Sequence, residues 1–234
     1  MRQFLATSIY RVPFIVLFAM EVHCVTGFGF DSNIYIVPAE KPIIVDTGTG
    51  LYTDRVLKRV TELGMKGKIM GIVLTHRHID HVGGAYRLAK ELKCDIFASS
   101  GEAAALRPGN DASTCASDVG IDLPKLDVRD LEGRLDCGDS SFDVIPAPGH
   151  TAGHIVLYER KSGTMFCGDV LFCDGGVGRW DLPTGDYKAL VKSVEKLSKM
   201  DVKNLYPGHG SFARGDGNSH VSLALNSLKD CGGF

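Results

Sequence analysis

A short segment rich in histidine and aspartate constrains this chain more than any other feature. Thr75-His76-Arg77-His78-Ile79-Asp80-His81 places three of the eight histidines within six residues. Imidazole nitrogens and carboxylate oxygens are the ligands that zinc, iron and manganese prefer in proteins. The spacing of two puts His76 and His78 on the same side of an extended stretch, where both can bind one ion. Asp80 and His81 follow where the chain turns into a helix, so we expect them to point toward a second ion.

The composition is that of an ordinary globular protein. The chain has 234 residues, of which 44% are hydrophobic and 23% are charged, and this length supports one sizeable core. A formal net charge of -2 offers nothing to attract a nucleic-acid backbone. We therefore expect a small-molecule ligand and no nucleic acid. The sequence does not define the oligomeric state.

Apolar periodicity predicts an α/β domain in which the histidine segment follows a strand. A buried strand over 69–74 runs directly into His76, and a helix over 82–92 and a strand over 95–98 follow it. Open α/β sheets have their chemistry at this end of the strands. Helices that cover packed sheets fit the whole pattern best. Further strands are predicted at about 20–26, 33–37, 42–45, 126–130, 141–146, 154–158, 164–167 and 202–206, and helices at about 53–63, 101–106, 186–200 and 220–228.

The N-terminal segment of the chain needs a separate interpretation. Residues 12–20 are an apolar run of nine, shorter than the roughly 20 residues of a membrane-spanning helix. No small-x-small cleavage site follows, so we interpret 1–19 as an extension of uncertain role, with an export or membrane signal as the alternative. Residues 20–234 then form the domain that contains the histidines.

Seven scattered cysteines without CxxC pairs indicate a reduced, cytoplasmic protein, and no membrane association is expected.

Three further turns supply candidate ligands downstream. Each turn contains glycine and follows a predicted strand directly or after a short turn, and a single histidine in such a turn is more often structural. Several residues of this type at strand ends, taken together, favour a metal site. The turns are Pro148-Gly149-His150-Thr151, Cys167-Gly168-Asp169-Val170 and Pro207-Gly208-His209-Gly210.

The pattern His-x-His-x-Asp-His, followed by single His, Asp and His turns, resembles the metallo-β-lactamase superfamily over residues 20–210. The resemblance implies a four-layer αβ/βα sandwich, in which two mixed β-sheets face each other with helices on the outer faces. It implies that 20–234 is the catalytic domain. The implied ligands of the first ion are His76, His78 and His150; those of the second are Asp80, His81 and His209, and Asp169 bridges the two. Asp46, in Val45-Asp46-Thr47-Gly48, matches the aspartate that supports the ligands from behind.

Two segments narrow the resemblance to one branch. Residues 168–172 and 178–186 resemble the glyoxalase II-like hydrolases, and the persulfide dioxygenases share this pattern. The β-lactamases proper lack the bridging aspartate that Asp169 supplies. Glyoxalase II proper has a helical C-terminal domain that helps bind glutathione, whereas this chain has 25 residues after His209, so the resemblance is to compact members. Arg179 either pairs with Asp181 to brace its loop or contacts an anionic group of the substrate.

The function implied is that of a binuclear hydrolase of a small acyl thioester. Two divalent ions, zinc or else iron or manganese, would activate a bridging hydroxide. Asp80 and Asp169 would be ligands and transient proton acceptors. A lactonase with the same ions is one alternative. A persulfide dioxygenase, with one iron held by His76 or His78, His150 and Asp169, is another. A nuclease is disfavoured because the chain lacks the extra motifs, the added domain and the basic surface, and a non-catalytic scaffold protein because the ligand set is complete.

Overall fold

The computed structural model describes residues 20–231, and the interpretation of residues 1–19 lies outside this range. No helix among the described residues combines the length and the apolar sequence that crossing a membrane requires. The strands are β1 (His23–Val25), β2 (Ile34–Val37), β3 (Ile43–Val45), β4 (Gly71–Val73), β5 (Asp95–Ala98), β6 (Val128–Asp130), β7 (Arg134–Asp136), β8 (Ser141–Pro146), β9 (Ile155–Glu159), β10 (Thr164–Gly168), β11 (Asn204–Pro207) and β12 (Ala213–Arg214). The helices are α1 (Thr53–Glu62), α2 (Ile79–Val82), α3 (Ala85–Leu92), α4 (Ser100–Leu106), α5 (Tyr187–Leu197) and α6 (Gly217–Cys231), with 3-10 turns at Ala112–Thr114, Ser117–Val119 and Cys173–Gly175.

The strands form two mixed six-stranded sheets. The first has the order β1-β2-β3-β4-β5-β6, in which β3 to β6 are parallel and β1 and β2 complete an antiparallel edge. The second has the order β12-β11-β10-β9-β8-β7, in which β10 and β11 are the parallel pair. Strands β2, β3, β9 and β10 are buried along their whole length, which explains why they are mainly apolar, with Glu159 and Thr164 as polar residues at strand ends.

Three apolar cores separate four layers. Val56 of α1 and Leu88 of α3 pack on the outer face of the first sheet. Leu190 and Val194 of α5, together with α6, pack on the outer face of the second. The third core lies between the sheets, where the Phe142 and Phe166 rings have their centroids 6.0 Å apart. The structure therefore confirms the predicted αβ/βα sandwich.

The helix predicted over 82–92 is present as α3, but its predicted start is wrong, because Gly83 and Gly84 separate α3 from the short helix α2. A Cβ at Gly83 would collide with the backbone carbonyl of Thr49, and one at Gly84 with that of Thr47. Glycine thus allows this segment to lie directly against the chain that follows β3. Asp80 and His81 belong to the first short helix rather than to the turn before it.

The edges of the sandwich also differ from the sequence prediction. The short strands β7 and β12 were not predicted, because strands of three and two residues leave almost no periodic pattern. The last helix begins at Gly217 and ends at Cys231, so it is longer than the predicted 220–228 at both ends.

We predict that Phe142→Ala lowers the free energy of unfolding by about 3–5 kcal/mol, because it leaves a cavity between the two sheets. The Phe142 side chain is fully buried, whereas Phe28 is 71% exposed and provides the matched control. Phe28→Ala should cost less than about 1 kcal/mol. Urea denaturation of both variants measures the difference, and equal losses would contradict the proposed packing.

Candidate metal centre

The predicted ligands converge at one edge of the sandwich, where strands of both sheets end. Strands β8, β10 and β11 run in the same direction, so the turns after their carboxyl ends lie side by side. The histidine loop, which follows β4 of the other sheet, lies next to these turns. The candidate ligand atoms form three groups, each with all its atoms within 4.8 Å of one another. The groups are His76, His78 and His150; His76, His81 and Asp169; and Asp80, His81 and His209.

The first group consists of three buried, neutral imidazoles. His78 Nδ1 and His150 Nε2 are 2.9 Å apart, and the other nitrogen of His150 donates a hydrogen bond to the Arg179 carbonyl at 2.7 Å. His76 Nδ1 contacts the Thr75 hydroxyl at 3.1 Å, while its Nε2 is buried without a hydrogen-bond partner among the described residues. Burial lowers the pKa of His78 to about 3 and that of His76 well below its usual value. Neutral imidazoles with free nitrogens facing one another are what a cation requires.

The second group that matters for binding consists of Asp80, His81 and His209. It surrounds the carboxylate of Asp169, which also reaches the histidines of the first group. His209 Nε2 lies 3.0 Å from Asp80 Oδ2 and 3.3 Å from His81 Nε2. Asp169 Oδ1 lies 3.3 Å from His81 Nε2, and its Oδ2 lies 3.4 Å from His209 Nε2 and 3.7 Å from His150 Nε2. Asp169 thus lies close to histidines of both groups, and its role as a bridging ligand stays a prediction.

Opposite charges hold Asp80, His81, His209 and Asp169 together. Burial by itself would lower the pKa of His81, but Asp169, Asp46 and Asp80 raise it well above its usual value. Burial also opposes ionisation of Asp169, yet His81 and His209 hold its pKa well below the usual range. Protons on imidazole balance the carboxylates here. A donor set of neutral imidazoles on one side and carboxylates on the other fits two divalent cations.

Asp46 supports the histidine loop at both of its ends. Its Oδ1 accepts a hydrogen bond from the Thr75 backbone at 2.8 Å, and its Oδ2 accepts from the Thr75 hydroxyl and from His81 Nδ1, each at 2.8 Å. The bond from His81 Nδ1 orients the His81 ring, so that Nε2 faces the other ligands. Asp46 has a φ of +58°, a left-handed conformation that aspartate tolerates better than most residues.

A buried ion pair that the sequence did not reveal joins the histidine loop to the His150 turn. Arg77 Nε donates to Glu102 at 2.5 Å, and the other Glu102 oxygen accepts from the Thr151 hydroxyl at 2.8 Å and from the Gly153 backbone at 2.9 Å. Glu102 is fully buried in α4. Its position near the start of a predicted helix gave no sign of this, because its three partners lie 25 to 51 residues away in the sequence.

Two residues of the first sheet hold the His209 turn of the second. The Asn33 backbone donates to the Gly208 carbonyl at 2.6 Å, and its side chain donates to the Pro207 carbonyl at 3.1 Å. The Tyr35 hydroxyl donates to the same Pro207 carbonyl at 2.6 Å. Both residues lie at the start of a strand that the sequence predicted correctly, but neither has a motif that indicates this role.

His154 supports Asp169 without belonging to any of the ligand groups. Its Nε2 accepts a hydrogen bond from the Asp169 backbone at 3.1 Å, and its ring stacks on His76 with centroids 4.9 Å apart. Burial lowers the pKa of His154 well below its usual value, so the ring is a neutral acceptor. A histidine four residues after His150 was the one sequence signal for this role.

Arg179 lies at the rim of the site. Its guanidinium makes two hydrogen bonds to the Asp181 carboxylate, at 2.9 and 2.6 Å. This pairing is the first of the two alternatives that the sequence left open, and contact with a substrate stays a prediction. The Arg179 carbonyl, which orients His150, was not anticipated.

The fold and the site together define a metal-dependent hydrolase. The chain belongs to the metallo-β-lactamase superfamily, whose family model matches residues 27–209. It is 33% identical over 193 residues to a probable metallo-hydrolase of Methanocaldococcus jannaschii, covering 80% of this chain and 91% of that protein. It is 32% identical over 202 residues to the hydroxyacylglutathione hydrolase GloC of Haemophilus influenzae, covering 82% and 91%. The crystal structure of TTHA1623 in a di-iron-bound form is similar with a TM-score of 0.72 and 32% identity, covering 88% of this chain and 97% of the other.

We predict that Asp46→Asn weakens binding of the ion at His81 by about 10–100-fold, the usual cost of losing a partner that orients a ligand. The amide keeps the size of the side chain but replaces one oxygen that Thr75 and His81 share. Competition with a chelating dye measures the affinity. Asp54→Asn is the matched control, since the Asp54 side chain is 80% exposed on α1 and pairs with Arg87. Equal affinities in the wild type and in Asp46→Asn would show that Asp46 does not orient His81.

We also predict that binding of this ion releases protons. Asp169 and Asp80 overcome the effect of burial and raise the pKa of His209 to about 9, so its imidazole is protonated at neutral pH in the metal-free protein. A metal-bound histidine is neutral, so the proton must leave, and affinity should rise about tenfold per pH unit for each proton released until pH approaches 9. Calorimetric titration at pH 7.5 in two buffers of different ionisation enthalpy counts the protons. An affinity that stays flat from pH 7 to 9 would disprove this.

Proposed function

We propose that this protein hydrolyses a small acyl thioester with the help of two divalent metal ions. The observation that supports this most directly is the position of Asp169, which contacts His81 and His209 on one side and His150 on the other. A carboxylate shared by two groups of ligands suits a centre of two ions. We assign the first ion to His76, His78 and His150, with Asp169 shared between the two. The second ion is assigned to Asp80, His81 and His209.

The reaction that we propose adds water across the thioester. Two ions held in this way supply a Lewis acid for the carbonyl and a water of lowered pKa. The water oxygen forms the new C–O bond, the C–S bond breaks, and the sulfur leaves with a proton as the free thiol. We assign to Asp80 and Asp169 the transient acceptance of the proton of the water, since both carboxylates are ionised at neutral pH and face the ligand cluster.

No covalent nucleophile of the protein is needed. The pocket beside the ligands has one thiol among its lining residues, that of Cys115. Burial raises the pKa of Cys115, so it is a thiol and not a thiolate at neutral pH. Among the described residues it makes no side-chain hydrogen bond to a base.

The similarity to hydroxyacylglutathione hydrolases favours a thioester over other acyl compounds. GloC of Haemophilus influenzae has this name at 32% identity, and so does a protein of Rhodospirillum rubrum at 33% identity. Zinc is the metal that we propose first, because imidazole and carboxylate ligands suit it well. The di-iron form of TTHA1623 makes iron the main alternative, and manganese is a further one.

Two alternative activities can be distinguished from thioester hydrolysis, one by the number of ligand groups and the other by the substrate that is turned over. A persulfide dioxygenase would need one iron, whereas the structure brings Asp80, His81 and His209 together as a second group. A lactonase would use the same ions, and turnover of acyl-lactones in place of thioesters would reveal it.

We further propose that the protein acts in the cytoplasm on a small molecule. Six of the seven cysteines, Cys24, Cys94, Cys115, Cys137, Cys167 and Cys173, are free thiols, which suits a reducing compartment.

We predict that His76→Ala abolishes thioester hydrolysis and lowers the bound metal below the roughly two equivalents expected for the wild type. His76 is one of the three histidines assigned to the first ion, so its loss removes a donor from that ion. Hydrolysis is followed by detection of the free thiol, and metal is counted by elemental analysis of protein purified without chelator. Circular dichroism checks that the fold is retained.

His23→Ala is the matched control, because His23 lies on β1 and contacts Glu21 and Arg59 away from the ligands. It should keep both the metal and the activity. Wild-type protein that binds no metal, or that hydrolyses lactones and no thioester after metal addition, would refute the proposed function.

A further inference from the structure

The substrate pocket has walls that are mainly apolar. A cavity of about 570 Å³ opens beside the ligands, between the loop before β2, the 3-10 turns after α4 and the loop after β10. Phe30 comes from the first of these segments, Val119 from the second, and Phe172 from the third. Ile79, Val177 and Leu182 add further apolar surface. The polar lining consists largely of the metal ligands themselves, so the walls that remain for the substrate offer few hydrogen bonds.

Two of the apolar side chains that line the pocket are exposed to solvent, and a bound substrate would cover them. Phe30 is 51% exposed and Val119 is 45% exposed, although most large apolar side chains of this chain are buried. Exposed apolar residues that line one cavity next to a reactive centre indicate a ligand-binding surface rather than scattered surface hydrophobics.

The charges of the pocket disfavour an anionic substrate group. Arg179 is the one cationic side chain, other than histidine, that lines the cavity within residues 20–231. Its guanidinium already makes two hydrogen bonds to Asp181. Asp118, on the same turn as Val119, adds a carboxylate to the wall. A glutathione moiety has two carboxylates, and the described walls offer no free cation to bind them.

We propose that the substrate is a thioester with an apolar acyl group, aliphatic or aromatic, and a thiol part that has no carboxylates. This inference rests on the proposed thioester hydrolysis and specifies its substrate class. Phe30, Val119 and Phe172 contact the acyl chain, and the carbonyl lies toward the metal ligands. The same walls select against a hydroxyacyl group on glutathione.

The test is a series of thioesters in which acyl length and thiol charge vary separately. Acetyl, butyryl, hexanoyl and octanoyl esters of N-acetylcysteamine have a neutral thiol, while hexanoyl- and lactoyl-glutathione share an anionic one. With metal-loaded protein we expect kcat/KM to rise about fourfold per methylene from acetyl to hexanoyl, which corresponds to about 0.8 kcal/mol for each. Hexanoyl-N-acetylcysteamine should exceed lactoyl-glutathione at least about tenfold. A flat dependence on acyl length, or lactoyl-glutathione as the best substrate, would overturn the inference while the proposed hydrolysis stands.

A variant pair tests the wall itself. Val119→Arg places a cation in the pocket, so it should lower kcat/KM for the octanoyl ester and raise it for hexanoyl-glutathione, changing their ratio at least about tenfold. Val119→Thr keeps the shape without the charge and should change the ratio far less. Tyr86→Arg adds the same charge on the exposed side of α3 and should leave the ratio unchanged. An unchanged ratio in Val119→Arg would show that this wall does not contact the substrate.

Binding of the matching carboxylates separates this inference from the proposed function. Calorimetric titration of metal-loaded protein with acetate, butyrate, hexanoate and octanoate should show affinity that increases with chain length. If it does and no thioester is hydrolysed, the proposed function fails and the apolar ligand class stands. If affinity does not change with chain length, the apolar pocket is not the binding surface.

Discussion

The carboxylate of Asp46 is the interaction on which the rest of the site depends. It receives the Thr75 backbone and hydroxyl at the start of the histidine loop and the His81 ring at its end. One side chain therefore sets the length and the curvature of a loop that contains four candidate ligands. The left-handed φ of +58° at Asp46 turns its side chain back along the end of β3. A Thr47 hydrogen bond to the His81 carbonyl, at 2.8 Å, holds the backbone of the same loop. Strain at one backbone position thus has a direct use in preorganising the metal ligands.

The site also depends on the contact between the two sheets, because neither sheet holds a complete set of ligands. His76 and His81 follow a strand of the first sheet, whereas Asp169 and His209 follow strands of the second. Direct hydrogen bonds cross this boundary: the Ile155 backbone donates to the Thr75 carbonyl at 3.0 Å, in addition to the Asn33 bonds to the His209 turn. Ions that bind only when both halves are in place stabilise the folded chain relative to the unfolded one. The apolar core between the sheets and the metal centre at its edge therefore support each other.

Local patterns and the family resemblance picked out residues that the structure brings together, and long-range contacts account for what was missed. The strand that ends at Val73, the histidine spacing and the glycine-containing turns are all features of neighbouring residues, so the sequence and the family resemblance could identify them. Glu102 is different, since its importance comes from Arg77, Thr151 and Gly153, which are 25 to 51 positions away. The break at Gly83 was missed for the same reason, because the carbonyl that excludes a larger side chain belongs to Thr49. Periodicity records which face of an element is buried, but not which distant group it meets.

The chemistry and the choice of substrate are built on different kinds of structure. The metal ligands lie at the ends of buried strands, or in a short helix that glycine packs against the chain, and their positions are fixed by hydrogen bonds from both sheets. The apolar pocket walls lie largely on loops and on the 3-10 turn Ser117–Val119, which make few of those bonds. Loops tolerate substitution better than buried strands do. One centre can therefore serve relatives with different substrates, because changes near Val119 or Phe172 alter the group that is bound without moving a ligand. Similarity to a hydroxyacylglutathione hydrolase consequently says more about the bond that is cleaved than about the acyl group and the thiol on either side of it.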